Sequence, residues 1–125
     1  MLSENVSRIR VRFSIEGIGA LKGELIRFLA PKTIDALLRL MPLNGIIALK
    51  EGMIYFGTQV KTGSEKPKTQ VDAGTIAYWP MGSSVCIFLK ESKPYSSVNV
   101  VGRVTESLEI LKNITSGKRV RMERI

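Results

Sequence analysis

The sequence predicts a mainly β protein, a closed barrel of about eight short strands with two capping α-helices. Three observations carry this. Short apolar runs, alternating or continuous, recur along the chain between Gly-, Pro- and Ser-containing turns. Only two segments show helical spacing, one after an initial hairpin and one just before the final strand. No internal repeat, low-complexity tract or linker interrupts the pattern, and 125 residues suit one domain, residues 1–125. Many short strands with few helices close into a barrel whose ends the helices cover.

The elements follow in order. Residues 8–15, RIRVRFSI, alternate strictly, with Arg8, Arg10 and Arg12 on one face and Ile9, Val11, Phe13 and Ile15 on the other. That is the pattern of a half-buried strand. EGIGA supplies two glycines for a turn, and LKGELIRF returns as the second strand of a hairpin. The first helix is APKTIDALLRLMP. Pro31 suits the first helical position, where a missing N–H goes unused. Ile34, Leu37, Leu38 and Met41 form one apolar stripe, and Pro42 stops the helix. GIIALKEGMIYFGT reads as two strands about a Lys50-Glu51-Gly52 turn. The polar stretch QVKTGSEKPKTQVDAG is long for a connection in a compact fold, and reads as a mobile flap or functional loop. TIAYW and SVCIFL are strands separated by PMGS. KESKPYSS is a second polar loop and VNVVGRV another strand. ESLEILKNI predicts the second helix, with Thr105 as cap, Glu106 and Glu109 at the positive end of its dipole and Lys112 in the last turn. Gly117 ends that segment, and RVRME is the closing strand.

Composition narrows the chemistry. There is no histidine, which removes the commonest general base near neutral pH and the commonest metal ligand. One cysteine and two aspartates assemble no zinc cluster, and neither a Ser-His-Asp nor a Cys-His device is possible within the chain. The catalytic options that survive are Lys, Tyr, Glu, Asp and Arg chemistry, or no chemistry; the expectation is no metal, no cofactor and no assigned catalytic residue. No apolar run approaches the roughly 18–20 residues of a membrane span. MLSENVSRIR lacks the layout of a signal peptide, so the expected location is cytoplasmic, away from any membrane. A single cysteine fits that compartment.

Three segments resemble cyclophilins. APKTIDALLRL is similar to their first helix, VVGRVTESLEILKNI to their late strand and second helix, and GTIAYWPMGSSVCIFL, with a deletion, to the strand-loop-strand that ends Gly-Ser-Gln-Phe-Phe-Ile. The order matches from about residue 30 to 115. Tyr-Trp-Pro with a downstream Cys, and SSVNVVGRV, more closely resemble a group of small stand-alone prokaryotic cyclophilin-like proteins with no assigned role. The resemblance implies a cyclophilin-like barrel. It does not carry over the prolyl isomerase machinery. Gly52 to Gly57 stand where Gly-Phe-Met-x-Gln-Gly belongs, which puts the catalytic arginine near Ala48 and the glutamine on Phe56. The pocket histidine and tryptophan have no counterpart. Lysine, as at Lys50, does not replace an arginine fork.

The candidate sites follow. Ile76 and Tyr78 point one way along their strand and Trp79 the other, so one aromatic faces outward or lines the barrel mouth, while Pro80 ends the ladder. Tyr78 and Trp79 with Phe88 and Tyr95 form either an apolar platform for a ligand or a plug of the barrel. The resemblance places Tyr55 and Phe56 beside the groove, and KPYSSVN adds Tyr95, Ser96, Ser97 and Asn99 as hydrogen-bonding groups or simple turn formers. Cys86, with no basic neighbour in sequence, reads as a small core residue or a wall residue. The net charge of +8 concentrates at Arg8, Arg10 and Arg12 and at the C-terminal run holding Arg119 and Arg121, a stripe for phosphates or an outward charged edge. The expected function is binding of a peptide or small ligand in a groove without efficient prolyl isomerase activity. Two alternatives stay open: a weak or divergent peptidyl-prolyl isomerase, and a basic nucleic-acid-binding barrel.

Overall fold

Alternation sets the first strand, β1 (Arg8–Ile15), with Ile9, Val11, Phe13 and Ile15 buried while Arg8 and Arg10 are exposed. The structure, a computed structural model, describes residues 7–50 and 52–125. Glu51 of the predicted turn, and residues 1–6 of the N-terminal stretch, lie outside the described residues. The hairpin partner is β2 (Gly19–Ile26), in register from Arg8 opposite Ile26 to Ile15 opposite Gly19. Then come α1 (Pro31–Leu40), β3 (Leu43–Lys50), β4 (Met53–Gly57), β5 (Thr75–Trp79), β6 (Ser84–Phe88), β7 (Asn99–Glu106) and β8 (Arg119–Arg124). All pairings are antiparallel, and the sheet closes in the order β1-β2-β7-β5-β6-β4-β3-β8. Closure leaves no free edge.

Inward positions of every strand fill the barrel. Phe13 meets Phe56 edge to face at 6.4 Å and 75°, in a core that also holds Ile54, Ile76, Tyr78, Val85, Ile87 and Met122. Such an aromatic pair adds about 0.5–1.5 kcal/mol beyond its buried area. Helix α1 covers one end through Ile34 and Leu37, with Leu38 and Met41 packed at its margin, as the apolar stripe predicts. Pro31 holds the first helical position, and Ala30 precedes it as cap.

The second helix is the correction. Among the described residues α1 is the one α-helix of seven or more residues, and Leu108–Leu111 form only a 3₁₀ turn. Thr105 and Glu106 are taken up by β7 and cap nothing. Ser107 follows in a left-handed conformation, φ 69°, which breaks the path into an α-helix. Beyond it the chain turns through i→i+3 bonds, from Ile110 to Ser107, Lys112 to Glu109 and Ile114 to Leu111. Leu108, Leu111 and Ile114 are spaced by three, the repeat that lines up along a 3₁₀ turn. Leu111 and Ile114 are buried and Leu108 packs beside them. A nine-residue α-helix is marginal without strong caps.

The long polar loop is tied to the barrel and to α1 at several points. The Glu65 carboxylate accepts the backbone N–H groups of Lys32 and Thr33 and the Thr33 hydroxyl, at 2.8–3.0 Å. Those are orphan donors of the first turn of α1. Buried Asn99 ties the same place together. Its side-chain carbonyl accepts Glu65 N–H at 2.9 Å, and its amide donates to Thr33 Oγ1 and Gly63 O. Further on, Lys68 pairs with Val98 and Val71 with Ser92 through reciprocal backbone bonds of 2.8–3.0 Å.

Candidate ligand-binding cleft

Outward-facing residues of four neighbouring strands make a second apolar layer outside the barrel. Met53 and Tyr55 on β4, Ala77 and Trp79 on β5, Cys86 and Phe88 on β6, Val100 on β7 and Val98 just before it pack together, with Val71 from the long loop above them. On this side the sheet is covered on both faces, and all five residues of β6 are buried. A signal for this lay in the sequence. SVCIF and TIAYW are continuous apolar runs, unlike the strict alternation of β1, and continuous runs mark strands covered on both faces.

The cover is incomplete, and the gap is a cleft of about 400 Å³ between this layer and the loop at residues 92–96. Met53, Phe88 and Val98 form its floor, Trp79 and Lys50 one side, and Lys93, Pro94 and Tyr95 the other. The indole is held from several directions. Tyr55 meets it edge to face, with ring centres 6.0 Å apart at 87°. Its Nε1–H donates to Ser96 Oγ. It lies so close to Gly82 that a Cβ there would stand 2.6 Å from a ring carbon. The Lys50 ammonium sits 5.3 Å from the Trp79 ring centre and 5.6 Å from that of Tyr95, within the range of cation–π attraction.

The site residues named from sequence divide into three groups. Trp79, Phe88 and Tyr95 share the cleft, and Tyr55 buttresses Trp79 from outside its lining. Of the two serines named in KPYSSVN, Ser96 lines the cleft together with Ser92, and Ser97 is half-buried without lining it. Phe56, Tyr78 and Asn99 lie elsewhere. Phe56 and Tyr78 point into the barrel, where the Tyr78 hydroxyl donates to Val60 O at 2.6 Å, and Asn99 holds the Glu65 loop. Phe56 faces the barrel interior because the outward residues of β4 are Met53 and Tyr55. Ala48 stands opposite Tyr55, a methyl group where the resemblance put the arginine. Cys86 is fully buried behind the cleft floor. Burial pushes its thiol up to about 12 against a smaller pull from the Lys50 charge. It stays a thiol.

Lys50 is the cleft residue that the sequence reading set aside. Its position in a turn gave no sign that two aromatics distant in sequence would flank it.

The arginines lie on the other side of the barrel. Because β1 pairs with β8, Arg8, Arg10, Arg12, Arg119 and Arg121 share one outer face, but acidic side chains interleave them. Arg8 and Arg103 both bond Glu24, at 2.8 and 3.2 Å, and Arg12 and Arg121 reach Glu123, at 3.2 and 3.6 Å. The Arg12 hydrogen bond, opposed by slight desolvation and aided by the charges of Arg12 and Arg121, holds the Glu123 carboxyl below its ordinary range. Arg119 and Arg121 border a wider, more open groove of about 830 Å³ between β1, β3 and β8, with Glu16 on its rim. No helix among the described residues is long and apolar enough to cross a membrane.

Comparison with known proteins agrees with this architecture. A family profile described as cyclophilin-like matches residues 7–123. The solution structure of the hypothetical protein AF2241 from Archaeoglobus fulgidus is 32% identical and superposes with a TM-score of 0.82, over 95% of this chain and 96% of that one. The structure of McbB in complex with tryptophan is 17% identical with a TM-score of 0.76. It aligns with 91% of this chain, which spans 44% of McbB. No curated protein matches.

Proposed function

For this chain, which belongs to the cyclophilin-like family, we propose a binding role: a peptide or small ligand sits in the cleft beneath Tyr95, and prolyl isomerisation is not efficiently catalysed. The observation that carries the reading is that Trp79, Phe88 and Tyr95, from β5, β6 and the following loop, line one concave surface. About 400 Å³ lies within the range of small-ligand sites, which are mostly apolar with a few placed polar groups. The indole is already oriented by Tyr55, Gly82 and Ser96, so a ligand meets a preformed wall. McbB, part of which shares this fold, is itself known in complex with a small molecule, tryptophan.

The isomerase half of the reading rests on charge geometry. Lowering a rotation barrier of roughly 18–20 kcal/mol calls for a donor fork at the prolyl nitrogen as the amide loses conjugation. The cations lining the cleft are Lys50 and Lys93. A proline-peptide isomerisation assay should stay near the uncatalysed rate, and amide chemical-shift changes in a fragment screen should cluster at 50–53, 79, 88 and 92–98. A rate typical of cyclophilins, or shifts confined to the β1–β8 face, would overturn the proposal.

A further inference from the structure

We infer that the cleft selects an anionic ligand, a carboxylate on an apolar body, with Lys50 as the group that receives the charge. The inference rests on the cleft being the ligand site. The floor of Met53, Phe88 and Val98 is apolar and takes the body. Among the described residues lining the cleft, the acidic and basic side chains are two lysines, Lys50 and Lys93, with no carboxylate. No ion pair among the described residues engages either lysine. Such a wall attracts an anion and repels a cation.

Lys50 is placed to respond. Its ammonium rests between the faces of Trp79 and Tyr95, at 5.3 and 5.6 Å, so the ring pair is already occupied by a cation of the chain itself. A cationic ligand entering between those rings must displace Lys50 and then meet its charge nearby. A carboxylate at the cleft mouth gains a charge-assisted bond from Lys50 while the ammonium keeps its contact with the rings. Tyr95 is 88% exposed at the tip of its loop. The base of that loop is fixed by the Val71–Ser92 pairing and by the Trp79–Ser96 bond, so an arriving ligand adjusts the tip and leaves the frame in place.

The test uses one body with three head groups: 3-phenylpropionate, 3-phenylpropanamide and 3-phenylpropylamine. Each is titrated against the native protein by fluorescence of Trp79, the only tryptophan, and by amide chemical shifts. The acid should bind about tenfold or more tighter than the amide, the scale of one charge-assisted bond, and the amine weakest of all. Lys50→Met should abolish the preference for the acid over the amide while the dispersed spectrum persists; Lys93→Met should cost less. Equal binding of acid and amide, or tighter binding of the amine, overturns the anionic class and leaves the cleft reading standing. Binding of none of the three at millimolar concentration overturns both. Acetyl-Ala-Ala-Phe against its C-terminal amide separates the sources of the carboxylate. A peptide acid that outcompetes 3-phenylpropionate assigns the site to chain termini, and the reverse assigns it to small free acids.

Discussion

Glu65 accepts both the backbone N–H and the hydroxyl of Thr33, each at 2.8 Å. With the Lys32 N–H at 3.0 Å, one carboxylate closes the open end of α1 and fastens the long loop to the barrel. The loop that borders the ligand side is thereby held by a helix cap whose residues lie more than thirty positions from it in sequence.

Glu65→Gln should lower stability by about 1 kcal/mol at neutral pH, the usual value of a capping interaction. Burial alone would raise the Glu65 pKa. The N–H groups of Lys32 and Thr33, the Thr33 hydroxyl and the Lys32 charge outweigh it, so the folded value lies below 4.5. A depressed folded pKa contributes stability that is present above the unfolded value and lost as pH falls through the folded one. Urea unfolding at pH 7 and pH 3 should therefore show a gap between wild type and variant that shrinks in acid. An equal gap at both pH values contradicts the assignment.

Tyr78→Phe should cost about 1–2 kcal/mol by removing the buried hydroxyl that donates to Val60 O at 2.6 Å. Because Tyr78 points into the barrel, ligand affinity at the cleft should stay within about twofold, a change far below one hydrogen bond. Denaturant unfolding and the Trp79 titration read the two effects separately.

Gly102→Ala should be severely destabilising, by about 3 kcal/mol or more. A Cβ at Gly102 would stand 1.9 Å from Glu24 O in the neighbouring strand, a backbone atom that moves only if β2 and β7 separate. Gly63→Ala is the control, with no heavy atom within 4 Å of its Cβ. Thermal unfolding of the two variants should differ by more than about 10 °C for a chain of this length.

Cys86 should resist thiol reagents in the native state. With the thiol raised to about 12 and fully buried, modification by a disulfide reagent at pH 8 should run about a hundredfold slower than in denaturant. Fast native reaction would show that the cleft floor opens.

Particular elements show where the sequence was readable. Strict alternation in RIRVRFSI placed β1, and Pro31 with the stripe at Ile34, Leu37 and Leu38 placed α1, because burial of one face leaves a local period. ESLEILKNI failed for the same reason inverted. Its helical composition was read with a period of 3.6, while Leu108, Leu111 and Ile114 follow a period of three and the neighbouring strand takes the capping residues. Polar loops carry no period at all, so the anchoring of Glu65 by Thr33 and Asn99 had no local trace.

The sequence alone determined that strands dominate, that histidine is absent from the side-chain repertoire, and that the chain resembles cyclophilins without an arginine at the matching position. Tertiary structure decided which face of each strand is covered. It sent Phe56 and Tyr78 into the barrel, Tyr55 and Trp79 outward, and brought Lys50 between Trp79 and Tyr95. The reason is physical. A residue's neighbours in sequence determine its alternation, but the cleft is built from strand pairings and loop anchors that join distant segments, and those exist only once the barrel closes.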